Sequence, residues 1–241
     1  MKDIDHQYKN VLFLPNQPRE PLLNVPLIIV ALIALCFGIY FVQEYFFSEK
    51  LYIKSLEFFS FTPSLFKADP LTFCYTIISY SFMHGSLKHI TINMVWLLVF
   101  GSPLVKLFGN LRFLIFLGLT ATFSVLTYFV AHPDSVISLV GASGAISGMM
   151  GAFARYGFPQ GYWGGSLQSE RFLGPLLSIK QALCSRDVLV YITIWLSVDF
   201  IIGISSFLFE EEGISIAWEA HVGGFVSGFL LIGFFGLSRK K

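Results

Sequence analysis

A chain of 241 residues that is 55% hydrophobic, 13% charged and holds 27 Phe and 10 Tyr departs from soluble domains, in which about a quarter of residues are charged. With a mean hydropathy of +0.70 it reads as an all-α membrane protein whose single membrane domain uses most of the length. The net charge of +1, without any basic array, offers nothing to nucleic acid, and three scattered cysteines (Cys36, Cys74, Cys184) argue against a disulfide framework and have no metal-like spacing.

Residues 1–24 are polar, with Pro15, Pro18 and Pro21. They do not form a signal peptide, because the first apolar run starts late and no small-residue cleavage site follows it. Six candidate spans follow, each measured against the roughly 20 apolar residues a bilayer requires. They cover about 25–47, 87–107, 111–131, 143–156, 187–209 and 219–238. Between the first two lies a segment, 48–86, too rich in Phe58, Phe59, Phe61 and Phe66 to be an ordinary loop. It is expected to lie in the membrane interface as a structured element. The expected domain plan is a polar cytoplasmic segment 1–24, a membrane domain 25–238 and a basic cytoplasmic tail 239–241.

Lys and Arg concentrate on the cytoplasmic side of membrane proteins. Lys106 and Arg112 lie between spans two and three, Arg155, Arg171, Lys180 and Arg186 between four and five, and Arg239, Lys240 and Lys241 in the tail. Glu210, Glu211 and Glu212 precede span six, and the turn before Ser143 holds only His132, Pro133 and Asp134. Both termini are therefore expected in the cytoplasm.

The fourth span is too short. From Ser143 to Tyr156 it reaches about 21 Å, against a hydrocarbon core about 30 Å thick. Irregular backbone at membrane depth survives only where protein surrounds it or a wet cavity adjoins it. Ser143, in the turn Gly141-Ala142-Ser143-Gly144, is thus expected below the outer surface and facing a water-filled pocket.

The same orientation gathers other polar groups at the outer ends of spans two and six: His84, Gly85, His89 and Asn93 on one, His221 on the other. Small residues let membrane helices approach closely. Ser143, Ser147 and Gly151 recur every four residues, with the pair Gly144 and Gly148 beside them, and His221, Gly224 and Gly228 line span six. If these stripes face each other, Ser143 and His221 come within hydrogen-bond reach, the minimum for an activated nucleophile. Acyl transfer also needs donors for an oxyanion. His89 and Asn93 share a helix face at a spacing of four, and the Ser143 backbone amide opens a helix.

Other readings of these residues are blander. Gly-x-Ser-Gly alone is a common pattern of small residues, and His221 alone could be a buried structural histidine. His84, His89 and His221 could bind metal, but no carboxylate or cysteine joins them at ligand spacing, so no metal is expected. Asp199, in the middle of span five, reads as a structural hydrogen-bonding group and not as a third member of the site, because mid-span depth separates it from the outer leaflet.

The series His84-x4-His89-x3-Asn93-Met94, Gly141-Ala142-Ser143-Gly144 and Ala220-His221-x2-Gly224-x3-Gly228 resembles the rhomboid intramembrane serine proteases of the six-helix bacterial type, over about residues 25–238. The resemblance implies a six-transmembrane-helix bundle with a short central fourth helix and an interfacial loop between helices 1 and 2. It implies a Ser143 nucleophile and a His221 general base and acid without an acidic third member. His89, Asn93 and the Ser143 amide would form the oxyanion site, with His84, Gly141, Gly144, Gly224 and Gly228 structural around it.

It further implies single-span membrane proteins as substrates, the lipid bilayer as surroundings, no nucleic acid and no cofactor. The expected location is the bacterial cell (inner) membrane, with the site toward the extracytoplasmic side; no oligomeric state is implied. Two departures stand out. Phe73-Cys74-Tyr75-Thr76 occupies the stretch where the family often carries Trp-Arg. Ser147 stands where some members place a Tyr that packs on the histidine, so another group must hold the imidazole. A catalytically inactive rhomboid-like protein that binds transmembrane helices is the alternative, and a transporter with broken helices a third class.

Overall fold

The computed structural model describes residues 24–156, 175–208 and 217–235, with the backbone path alone for 202–208. The polar segment 1–23, the run 161–165, the acidic stretch 210–212 and the basic tail 239–241 lie outside the described residues. The chain is mostly helical; among the described residues the β pairing consists of one isolated antiparallel bridge, Phe61 with Leu139.

Among the described residues four helices are long and apolar enough to cross a bilayer: α1 (Leu27–Phe46), α2 (Leu87–Phe108), α3 (Asn110–Ala131) and, after the two helices described next, α6 (Trp218–Phe235). The 14 residues of α4 (Ser143–Tyr156) make a helix too short for that, and α5 (Arg186–Leu208) has 23. Side chains on the outside follow the membrane pattern: Leu27, Phe46, Val130 and Phe234 are largely exposed to the surroundings. In lipid such exposure carries no hydrophobic penalty, so burial here marks helix packing rather than escape from water.

Local sequence sets the ends and breaks. The Ser86 hydroxyl accepts from the His89 amide at 3.1 Å and caps the start of α2. Within α2 the turn Leu97–Gly101 widens into a π-turn. Pro103 follows and has no N–H to donate back to Val99, and such a turn absorbs the missing bond.

The segment between α1 and α2 is a chain of short helices, Glu49–Phe59, Pro63–Ala68, Pro70–Phe73 and Thr76–Ser79, then a 3-10 turn Tyr80–Phe82. Its internal fastening bears on the missing Trp-Arg pair. Tyr75 Oη donates to the Phe58 carbonyl at 2.6 Å and Ser79 Oγ to the Phe59 carbonyl at 2.8 Å. Two carbonyls left open at the end of a helix are thereby satisfied by the segment that folds back over them.

The short helix α4 is the centre. All of its residues except Ser143 and Phe153 are buried, and it packs chiefly on α6 and α3. The approach to α6 is backbone against backbone. A Cβ placed on Gly224 would overlap the Gly144 carbonyl, one on Gly228 the Gly148 carbonyl, and one on Gly151 the Phe225 carbonyl. Ser143 and Gly151 of the expected stripe thus face α6, and Gly144 and Gly148 beside them meet it through their carbonyls. On the other side Gly144 and Gly148 seat Ser124 and Thr120 of α3. At the lower end Arg155 is buried and donates through Nε to the Leu177 carbonyl at 2.9 Å and through Nη1 to the Phe229 carbonyl at 3.0 Å.

This packing gives a direct expectation. Gly228→Ala forces a methyl into the Gly148 backbone and should cost about 1–3 kcal/mol through overpacking, read by reversible unfolding in mixed micelles. Leu230→Ala, on an outward face of the same helix, should change stability by less than about 0.5 kcal/mol. Equal effects from the two would contradict the contact.

Candidate active site

The loop that delivers Ser143 is held by the segment between α1 and α2. Phe61 and Leu139 exchange two backbone hydrogen bonds, Phe61 N–H to Leu139 O at 3.1 Å and Leu139 N–H to Phe61 O at 2.8 Å. Ser64 N–H donates to the Ser135 carbonyl at 3.0 Å, and the Thr62 and Ser138 hydroxyls meet at 2.8 Å. Gly141 N–H donates to the Tyr80 carbonyl at 3.0 Å, while Tyr80 Oη donates to the Ala121 carbonyl of α3 at 2.9 Å. Gly141 adopts φ +117°, a region side-chain-bearing residues rarely enter. The chain can then turn sharply into α4, with Ser143 as the first helical residue.

On the facing helix the approach is set by a second fastening. Ser124 Oγ of α3 donates to the Ala220 carbonyl at 2.7 Å, immediately before His221. With both helix starts fixed, His221 Nε2 lies 2.9 Å from Ser143 Oγ. The other ring nitrogen, Nδ1, lies 2.5 Å from Asp199 Oδ1 on α5. A carboxylate can only accept, so Nδ1 carries the proton and donates to Asp199, and Nε2 is left to accept from the serine hydroxyl. The His221 and Asp199 side chains keep 17% and 11% of their surface open, so the pair is shielded but not sealed.

The place of Asp199 corrects the expectation that mid-span depth separates it from the serine. Depth has to be counted from the same end. Asp199 is thirteen residues beyond the start of α5 at Arg186, and Ser143 thirteen residues from the end of α4 at Tyr156; both counts give about 20 Å. The two helices are level, since Tyr191 Oη donates to the Met150 carbonyl at 3.2 Å. Because α4 is short, its outer end lies at the middle of α5. The sequence held this signal in the span lengths.

His89 and Asn93, at a spacing of four on α2, converge on Gly141. A Cβ built there would stand 2.7 Å from His89 Nε2 and 3.5 Å from Asn93 Nδ2, so glycine is required for space as well as for φ. Asn93 is buried and its Nδ2 has no protein partner among the described residues. This leaves a free donor group facing Gly141, which lies two residues before Ser143. His84 is buried ahead of α2, its ring edge-on to His89 at 5.2 Å between centroids. Burial, with a smaller contribution from His89, pushes its imidazole down to about 4, so it is neutral near pH 7. Ser147 is buried one turn below Ser143.

Glu219, the acid nearest His221 in sequence, is engaged elsewhere: its Oε1 lies 2.8 Å from His132 Nε2. Among the described residues no group of three or more His, Cys, Asp or Glu could hold a metal ion. Ser124, Tyr80 and Tyr75, which fasten the frame, carry no sequence signal of their own; ordinary polar residues in apolar helices gain their meaning only from the partner.

A family model described as the Rhomboid domain matches residues 72–238. The chain is similar to the Rhomboid protease GlpG of Serratia proteamaculans (strain 568), 31% identical over 156 residues that make up 64% of this chain and 45% of the relative. It is 30% identical over 155 residues to the protein of that name from Yersinia pestis (strain Pestoides F), with the same coverage of 64% and 45%. Rhomboid-related protein 2 of Mus musculus is 25% identical over 172 residues, 66% of this chain and 50% of the relative. The chain thus spans about half the length of the curated relatives it matches. The matched region runs from the interfacial helices through α6 and takes in His84, His89, Asn93, Ser143, Asp199 and His221. With its apolar helices and this match, the chain is an integral membrane protein that belongs to the rhomboid family.

Proposed function

We propose that this chain is an intramembrane serine endopeptidase that cleaves single-span membrane proteins in or near their transmembrane segment through an acyl-enzyme. The observation that carries the reading is the 2.9 Å approach of Ser143 Oγ to His221 Nε2, which brings a nucleophile and a base together from two distant parts of the chain. In this reading α1 to α6 are six spans around the central α4, both termini are cytoplasmic, and the site opens toward the extracytoplasmic side of a bacterial inner membrane. The membrane domain occupies 25–238, between a polar cytoplasmic segment and a basic tail.

The chemistry follows from the geometry. Ser143 Oγ attacks the scissile carbonyl as its proton passes to His221 Nε2, and the carbonyl electron pair moves onto oxygen. His89 Nε2, Asn93 Nδ2 and the Ser143 amide supply donors to that oxygen, a role worth several kcal/mol only because the donors are already in place. The C–N bond then breaks, and His221 returns its proton to the leaving amine. Water takes the amine's place and adds to the acyl carbon as its proton passes to Nε2; the ester C–O bond then breaks, His221 returns the proton to Ser143 Oγ, and the new carboxyl end is released. The loop before α4, fastened to Phe61, Thr62 and Tyr80, keeps the donors and the nucleophile in register throughout.

Two experiments test the reading. Ser143→Ala and His221→Ala, each reconstituted with a transmembrane substrate, should remove cleavage while leaving helicity unchanged; full activity in either ends the proposal. Asn93→Ala should lower kcat by about 10² to 10³ with little change in KM, and an unchanged rate would take the oxyanion role from Asn93.

A further inference from the structure

Ser147 brings no aromatic ring to His221, yet the imidazole is held. We infer that Asp199 is the residue that holds it, so that this chain works as a Ser143–His221–Asp199 triad with Asp199 as a positioning residue. The inference rests on the catalytic reading of Ser143 and His221 and goes beyond it, since that reading requires only a pair.

Three observations carry it. The first is the line of contacts: Ser143 Oγ to His221 Nε2 at 2.9 Å, then His221 Nδ1 to Asp199 Oδ1 at 2.5 Å. The carboxylate meets the nitrogen that does not face the serine, the one place from which an acid can fix the ring without competing with the nucleophile. The second is the register between α5 and α6. One turn from Asp199, Trp195 stacks on Phe225 with ring centroids 4.3 Å apart and planes 25° apart. Phe225 is one turn from His221, so two rungs, Trp195 to Phe225 and Asp199 to His221, tie the antiparallel helices at a spacing of four residues. The acid is thus placed by helix packing and not by a pliable loop. The third is its isolation. Asp199 is the sole acidic or basic residue in the apolar run 188–201. A carboxylate at that depth is costly without a partner, and among the described residues the imidazole is the partner it has. Glu219, the alternative acid, is committed to His132.

In the reaction Asp199 neither gains nor loses a proton. It accepts the Nδ1–H bond, keeps Nε2 in the accepting tautomer, and opposes the positive charge that develops when the Ser143 proton moves to Nε2. When that proton passes to the leaving amine, the pair returns to its starting state.

The test is Asp199→Asn, nearly equal in shape but uncharged, with rates normalised to folded protein by thermal unfolding. The expected result is a fall in kcat of about 10² to 10⁴ with KM within about twofold and an unchanged melting temperature. A kcat within threefold of wild type, or a loss that only parallels a loss of folded protein, overturns the triad. If Asp199→Asn does not fold, Asp199→Ala decides, assayed with and without formate. A recovery of tenfold or more on adding formate supports a missing carboxylate, and folded protein that formate does not rescue contradicts it. Ser143→Ala in the same assay separates the two ideas: silence there with full activity in Asp199→Asn leaves the dyad standing and removes the triad alone.

Discussion

Everything at the site depends on how closely α4 and α6 approach. Lipid gives helices no hydrophobic reason to associate, so contact must come from packing and from polar groups with nowhere else to bond. Gly151 on α4 and Gly224 and Gly228 on α6 leave no side chain between the two backbones, while Gly144 and Gly148 make room for Ser124 and Thr120 of α3. Only at that separation can Ser143 Oγ and His221 Nε2 stand 2.9 Å apart.

The second constraint is length. A 14-residue helix beside helices of 18 to 23 residues ends short of its neighbours, and irregular backbone must lead to it. That backbone needs partners for its polar groups. The short helices between α1 and α2 answer this need: Phe61 pairs with Leu139, Ser64 with Ser135 and Tyr80 with Gly141. The segment that looks like an appendage between α1 and α2 is therefore the floor under the nucleophile. The same shortness brings Asp199, in the middle of a long helix, level with the serine.

The helices and the meeting of Ser143 with His221 were legible in the sequence because both follow from one-dimensional patterns: apolar length, side of the membrane and the spacing of small residues. The small-residue stripe was legible from its spacing, with Ser143 and Gly151 facing α6. Spacing alone does not say that Gly144 and Gly148, one position on, turn toward α3 and meet α6 through their carbonyls. The place of Asp199 is not legible from its position within α5 alone, because it depends on α4 being shorter than the helix beside it. The polar fastenings Ser124–Ala220 and Tyr75–Phe58 were not legible, since each joins a common residue to a backbone carbonyl chosen by the fold. Membership of the rhomboid family, which the three motifs suggested, is carried by the match over 72–238.

The central claim is that His221 activates Ser143 inside the protein. Its most direct measurement is covalent labelling of the reconstituted protein with a fluorophosphonate, followed by mapping of the modified residue by mass spectrometry. The account predicts modification at Ser143 in the wild-type chain and its loss in His221→Ala. Labelling elsewhere with Ser143 untouched, or undiminished labelling of Ser143 without the histidine, would contradict it.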